Sequence, residues 1–244
     1  PGEPAADAEK IGGQRPISHS PVKIRLGGIT PSIRAAAHGG IDMPIVYAVF
    51  MLLLVTFGAV VMSLEILSSN LMSPYFGGSI YIWGSIISSF MVHFSVGYVL
   101  GGYLSRRLPR LSVLAAFLVV CSLWVIQIPA FYRPVCELVA DRIADVRLGS
   151  LVAMNLIFFV PVSIMAMVSP YIIGITTAGR RPSWLTAGMV LFISTVGSFF
   201  GTNATAFYLI SLFPVSRIIT GLGLICLAVS LFTLALRPDR RIEK

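Results

Sequence analysis

Six stretches of twenty or more residues contain almost no charged side chain, and this pattern restricts the chain to a membrane fold. A helix of about 20 apolar residues crosses the hydrocarbon core of a bilayer, which is about 30 Å thick. The composition agrees, because only 11% of the residues are charged, against roughly a quarter in soluble domains. We therefore predict an all-α polytopic membrane protein whose six transmembrane helices lie at about residues 45–68, 80–104, 111–130, 149–173, 185–210 and 217–236.

Three regions follow from this division. Residues 1–43 are a tail rich in Gly and Pro, residues 44–236 form the transmembrane domain, and residues 237–244 are a short C-terminus. The tail has few large apolar residues and cannot bury enough surface to fold alone. We expect it either to contact other membrane-protein subunits or to fold back on its own transmembrane domain.

The connector at residues 131–148 has its own pattern. Apolar residues recur there at helical spacing, while Glu137, Asp141 and Asp145 form an acidic row. This arrangement predicts an amphipathic helix lying on the outer membrane surface. Its acidic row is either a solvated face or a docking site.

Positive charge predicts the orientation. Of the 18 Lys and Arg residues, 14 fall in the two termini and in the connectors after the second and fourth spans, and four fall on the other side. Cytoplasmic segments are enriched in Lys and Arg, so both termini are expected in the cytoplasm. The net charge of +8 then follows from topology and is no argument for nucleic acid. Four arginines are predicted to anchor the chain at the cytoplasmic interface and to contact membrane lipids: Arg106, Arg107, Arg180 and Arg181.

Two short motifs occur twice. Ser73-Pro74-Tyr75 is echoed by Ser169-Pro170-Tyr171, and Val96-Gly97-x3-Gly101 is echoed by Val196-Gly197-x3-Gly201. If the echoes mark a duplication, each half has three spans and the halves are inverted repeats, as in many secondary transporters. The alternative is chance similarity. Gly97, Gly101, Gly197 and Gly201 are predicted to pack helices closely, and Pro74 and Pro170 to end helices.

Polar residues inside the spans are the candidate functional groups. Glu65 is the acidic residue of the apolar stretches, His93 lies in the middle of the second span, and further polar residues lie at Gln127, Asn155, Thr202, Asn203 and Thr205. Ionisable groups are costly in lipid and commonly mark a functional site. We predict that Glu65, His93, Asn155, Asn203 and Thr202 line an outer-facing polar cavity. Hydrogen bonding between helices is the alternative.

The sequence predicts neither a metal nor a cofactor. Its three cysteines form no CxxC pair or haem-attachment motif, and no His cluster is present. It contains no phosphate-binding glycine loop and no nucleophile elbow.

Three segments carry a family resemblance: residues 58–65 (GAVVMSLE), 73–78 (SPYFGG) and 81–84 (YIWG). They resemble the membrane domain of the fused MFS/spermidine-synthase-like proteins of bacteria. Looser similarity continues through Gly97-Tyr98 and Ser194–Thr202. The resemblance implies a multi-pass protein of the bacterial inner membrane, usually followed by an aminopropyltransferase-like domain.

This chain departs from the family in two respects. It ends about eight residues after the last predicted span, and it has Asn70 where relatives tend to have Arg. Without the synthase-like domain, we expect no enzyme activity. The expected function is therefore that of a non-catalytic accessory or scaffold subunit of a larger membrane complex. The alternative is a small transporter or permease with a polar cavity near Glu65.

Overall fold

A computed structural model describes residues 42–177 and 184–236, and the regular structure of these residues is helical throughout. Between α4 and α5 a single residue, Met167, interrupts the helix, and a π-helical turn at Thr205–Leu209 joins α6 to α7. The α-helices are α1 (Asp42–Phe76), α2 (Ile80–Arg107), α3 (Leu111–Arg142), α4 (Val146–Ala166), α5 (Val168–Thr177), α6 (Trp184–Ala204), α7 (Ile210–Leu212) and α8 (Val215–Ala235).

The six predicted spans are confirmed, so the chain is an integral, multi-pass, all-α membrane protein. Each span is long and apolar enough to cross a bilayer. Span 4 combines α4 with α5, and span 5 combines α6, the π-helical turn and α7. The spans are span 1 (Ile45–Phe76), span 2 (Ile80–Arg107), span 3 (Leu111–Arg142), span 4 (Val146–Thr177), span 5 (Thr186–Leu212) and span 6 (Val215–Ala235).

The surface helix expected at residues 131–148 does not form as a separate element. Helix α3 continues from the membrane span through Arg142, with Pro129 and Pro134 inside it. Its 32 residues correspond to about 48 Å at 1.5 Å per residue, well beyond the hydrocarbon thickness. The acidic residues Glu137 and Asp141 are exposed on this extension. The charged segment therefore lengthens span 3, because nothing between residues 131 and 142 stops the helix.

The prediction that Pro74 and Pro170 end helices is wrong. Helix α1 continues two residues past Pro74 and stops before Gly77, whose φ of 84° is the left-handed conformation that glycine adopts most readily. Pro170 is the third residue of α5. A proline in the first turn costs no hydrogen bond, because the N–H groups of that turn have no partner within the helix.

The spans associate in a pattern that is unchanged when the two halves are exchanged. The most extensive interfaces join span 1 to span 5, span 2 to span 4, and span 3 to span 6. Suppose that span 1 is exchanged with span 4, span 2 with span 5, and span 3 with span 6. The span 1–span 5 interface then becomes the span 4–span 2 interface, and the span 3–span 6 interface is unchanged. The pattern agrees with an inverted repeat of three spans and favours duplication over chance.

The glycine echo occupies equivalent places in the first two interfaces. A Cβ on Gly97 would lie 2.4 Å from the carbonyl oxygen of Ser163 in span 4, and one on Gly197 would lie 2.4 Å from that of Val55 in span 1. Gly101 and Gly201 lie one turn further along, against Met167 and Ala59, respectively. Because residue numbers rise together across both contacts, the paired helices are parallel. The Ser-Pro-Tyr echo has no such equivalence, since Pro74 is near the end of span 1 and Pro170 is inside span 4.

Candidate functional site

Two of the five predicted cavity residues meet across the span 2–span 4 interface. The imidazole Nε2 of His93 lies 3.0 Å from Oδ1 of Asn155, and the amide nitrogen of Asn155 donates to the hydroxyl of Ser89 at 3.3 Å. The same nitrogen also donates to the carbonyl oxygen of Leu151 at 2.8 Å. His93 is fully buried. Its ring packs edge-on against Phe159, with 5.4 Å between the ring centroids.

The other three residues do not join this pair. Glu65 is half-buried, and its carboxylate makes no hydrogen bond or ion pair with the part of the chain that the structure describes. The amide of Asn203 donates to the carbonyl oxygen of Phe199 in its own helix at 2.7 Å, and Thr202 is half-buried beside it. Gln127 is exposed. Of the five predicted cavity residues, His93 and Asn155 are thus the only two that the structure joins by a hydrogen bond within the described part of the chain.

Two of the four predicted interface arginines lie within the described residues. Arg106 and Arg107 are exposed at the end of α2, where the guanidinium of Arg107 lies 5.5 Å from the ring centroid of Tyr103. Arg180 and Arg181 lie outside the described residues.

Span 4 is distorted at Met167, which keeps helical backbone angles (φ −63°, ψ −23°) and accepts a helical hydrogen bond from the N–H of Tyr171 at 3.0 Å. The backbone N–H of Met167 donates to the carbonyl oxygen of Ile164 at 3.2 Å, a tighter turn than an α-helix makes. Pro170 has no N–H, so the carbonyl of Ala166 lacks its ordinary helical donor. The buried hydroxyl of Ser163 has no hydrogen-bond partner among the described residues. Near the turn at Met167, a backbone carbonyl and a serine hydroxyl are therefore available for hydrogen bonds inside the protein.

A cavity of about 80 Å³ adjoins the turn at Met167, where spans 1, 2, 4 and 5 meet. Serine hydroxyls and aromatic rings make up much of its wall, and none of the five predicted cavity residues lines it. A water molecule takes up about 30 Å³ in the liquid, so the space suits a few waters or a small solute. The lining residues are Leu54, Phe57, Gly58, Val61, Met62, Phe94, Tyr98, Met165, Ala166, Val168, Ser169, Ser194 and Ser198.

Buried hydroxyls hold the cavity's other wall, the contact of spans 1 and 5. Ser198 donates to the carbonyl oxygen of Gly58 at 3.1 Å, and Thr205 donates to the hydroxyl of Ser63 at 2.8 Å. Ser63 in turn donates to the carbonyl oxygen of Gly201 at 3.2 Å. Thr205 begins the π-helical turn, a distortion that is frequent at functional sites. Both interfaces beside the cavity thus contain an irregular helix and close glycine contacts.

The structure offers no clustered metal ligands within residues 42–177 and 184–236: no three His, Cys, Asp or Glu side chains there are placed to hold an ion. The cysteines Cys121, Cys136 and Cys226 are buried free thiols.

Sequence reasoning did not identify the serines of the cavity. Ser169, Ser194 and Ser198 are short polar residues in apolar helices, and such residues usually bond to their own helix and carry no distinctive signal. The one available signal was Pro170, because a proline inside a hydrophobic segment marks a candidate discontinuous helix.

Comparison with protein-family models, with curated proteins and with solved structures finds no match for this chain.

Proposed function

We propose that this chain is a small permease that moves a small uncharged solute through the cavity between its two halves. The observation that carries the proposal is the cavity between spans 1, 2, 4 and 5, beside which a tight turn at Met167 distorts span 4. Many secondary transporters built from inverted repeats have their substrate sites at the interface of the repeats, near the middle of the membrane.

The lining of the cavity supports an uncharged solute. Ser169, Ser194, Ser198 and Tyr98 supply hydroxyl groups, while Phe57 and the other lining residues are apolar. None of the described residues that line the cavity is acidic or basic. A charged solute would therefore be stripped of water without a compensating partner, which is costly. Hydroxyl groups both donate and accept hydrogen bonds, and they match small alcohols, amides and water.

Close backbone packing supports movement of the halves as rigid units. At Gly97, Gly101, Gly197 and Gly201 the paired helices are in contact through backbone atoms and, in span 4, through the small side chains of Ala166 and Pro170. The proposal also includes, on the strength of the family resemblance alone, a location in the bacterial inner membrane and the absence of enzymatic activity.

Thiol labelling from the two sides of a membrane tests the permease. Ser169→Cys and Ser198→Cys are made in a variant whose native cysteines are replaced by alanine, and the protein is reconstituted in liposomes. Ser230→Cys is the control, because Ser230 is fully buried in span 6 and does not line the cavity. We expect an impermeant thiol reagent to label both cavity positions from either side and to leave the control unlabelled. A cavity position that reacts from one side only, or from neither, contradicts alternating access.

A second candidate function is that of an accessory subunit, and it is favoured by one observation on span 5. This span has the lowest mean hydropathy of the six, 1.3, and the smallest buried share, 22%. Phe199 and Phe207 are exposed on it, and so is Thr195. Helix faces that contact protein carry more polar residues than faces that contact lipid. The other basis for this function is the tail at residues 1–43, of which residues 1–41 lie outside the described residues.

Photo-crosslinking distinguishes this second function. A photoreactive amino acid at Thr195, on the exposed face of span 5, is expected to capture a stoichiometric partner in native membranes if the chain is an accessory subunit. The control position is Val99, which is 72% exposed on span 2. Equal and weak capture at both positions contradicts the accessory role.

A further inference from the structure

The hydrogen bonds around Asn155 determine which nitrogen of His93 carries a proton. The carbonyl of Leu151 can only accept, so the group of Asn155 that reaches it must be the amide NH₂. Oδ1 then faces His93, and the ring Nε2 must donate to it. A neutral ring with hydrogen on Nε2 has a lone pair on Nδ1.

That lone pair has no partner. Nδ1 of His93 is buried and makes no hydrogen bond with residues 42–177 or 184–236, and the histidine as a whole is fully buried. A buried polar atom without a partner costs roughly 1–3 kcal/mol, so its presence calls for an explanation. The cavity described above does not reach His93. The smallest ligand that this lone pair can bind is a proton.

We propose that Nδ1 of His93 is a proton-binding site, and that its occupation opens the interface between spans 2 and 4. A proton from water binds the Nδ1 lone pair and converts the neutral imidazole into an imidazolium. The Nε2–H group continues to donate its hydrogen bond to Oδ1 of Asn155. The second half of the proposal rests on the proposed function, since the interface that opens is the one beside the cavity.

The surroundings explain why a proton would move the helices. Of the titratable or charged groups on spans 1, 2 and 4, Tyr98 follows His93 on span 2, Arg147 precedes Asn155 on span 4, and Glu65 lies on span 1. None of these three makes a hydrogen bond, ion pair or ring contact with His93. A buried, unpaired cation costs several kcal/mol. The interface must therefore admit water or another acceptor when the ring is charged.

The Gly97 contact is the place where water would enter. Gly97 lies one helical turn after His93, about 6 Å along the axis, and touches the backbone of Ser163. The Ser163 hydroxyl is the second buried polar group without a partner. A charged His93 and an unpaired hydroxyl thus flank the same glycine contact. Separation of the helices at Gly97 would hydrate both groups at once.

The experiment measures protonation and opening in one protein. The sequence contains three histidines, so His19→Gln and His38→Gln leave His93 as the sole histidine. The ¹⁵N spectrum of the histidine-labelled protein in lipid nanodiscs is recorded from pH 8.5 to pH 5. At pH 8.5 we expect one protonated nitrogen, Nε2, and at pH 5 two. Ser163→Cys, in a variant otherwise free of cysteine, is expected to react with a thiol reagent at least tenfold faster at pH 5, relative to free cysteine at each pH.

His93→Gln separates the proton from the packing. Glutamine can still donate to Asn155 but does not titrate, so we expect the reactivity at position 163 to become independent of pH. The proposal is overturned if Nδ1 is protonated at pH 8.5, if it stays unprotonated down to pH 5, or if His93→Gln keeps the pH dependence. Two-sided labelling at Ser169→Cys is scored separately at fixed pH. If one of these results is found and labelling at Ser169→Cys still occurs from both sides, the proton-binding site is refuted and the permease proposal stands.

Discussion

The contact of Gly201 with span 1 permits a quantitative test of the close helix packing. A Cβ at position 201 would lie 2.3 Å from the carbonyl oxygen of Ala59 and 2.5 Å from its Cα. Because both atoms belong to the backbone, no side-chain rotation relieves the clash. Ordinary contact begins near 3.4 Å, so Gly201→Ala must move the two helices apart by about 1.1 Å.

This displacement has a predictable cost. Overpacking of a well-packed interface costs about 1–3 kcal/mol. The 2.8 Å hydrogen bond from Thr205 to Ser63 lies in the same interface. A similar lengthening would break it, at an average of about 0.6 kcal/mol for such bonds in membranes. Replacing glycine by alanine inside a helix gains about 0.5–1 kcal/mol. The net loss of unfolding free energy is therefore about 1–3 kcal/mol.

A control on the same helix isolates the contact. No atom of the described residues lies within 4 Å of a Cβ built on Gly188, so we expect Gly188→Ala to change helix propensity without a clash. We expect Gly188→Ala to unfold at the same or higher SDS fraction than the parent protein in mixed micelles, followed by tryptophan fluorescence, and Gly201→Ala to unfold at a clearly lower one. Equal shifts for the two variants would refute the assignment of close backbone packing at Gly201.

Two further predictions concern buried polar side chains. Asn155→Leu removes the bonds that connect spans 2 and 4 at His93 and should cost about 1–2 kcal/mol in the same titration. Asn203→Leu, whose parent amide bonds within its own helix, should cost less than about 0.5 kcal/mol, and equal losses would contradict the account. Tyr171→Phe removes the hydroxyl that donates to two carbonyl groups of the connector between spans 2 and 3. Trypsin should then cleave that connector about fivefold faster, whereas Tyr103→Phe, on an exposed ring, should leave the rate unchanged.

The number and position of the spans were predictable because hydropathy alone determines them. The ends of the spans were less predictable. Span 3 continues into a charged segment through Arg142, since its polar residues are compatible with a helix and none of them ends it. The pairing of spans was partly predictable, because the glycine echo marks faces where backbones meet.

The centre of the molecule was harder to predict, for a physical reason. The tight turn at Met167 lies against Gly101 of span 2, a contact that the sequence does not show, and a single proline is compatible with either a kinked or a straight helix. The serines of the cavity look in sequence like Ser230, which only bonds its own helix. His93 and Asn155 were recognisable as buried polar residues, yet only the fold shows that they meet across one interface while Asn203 lies in another.

A reversible lock across the span 2–span 4 interface tests the permease most directly. The hydroxyls of Ser85 and Ser150 are 3.0 Å apart at the end of these spans that is predicted to face outward, so Ser85→Cys with Ser150→Cys is suited to form a disulfide. Cavity labelling is followed at Ser198→Cys in the otherwise cysteine-free protein. The account predicts that oxidation abolishes labelling from the outer side and preserves it from the cytoplasmic side, and that reduction restores both. Labelling that is unchanged from both sides after complete oxidation would contradict the claim that this interface opens to admit a solute.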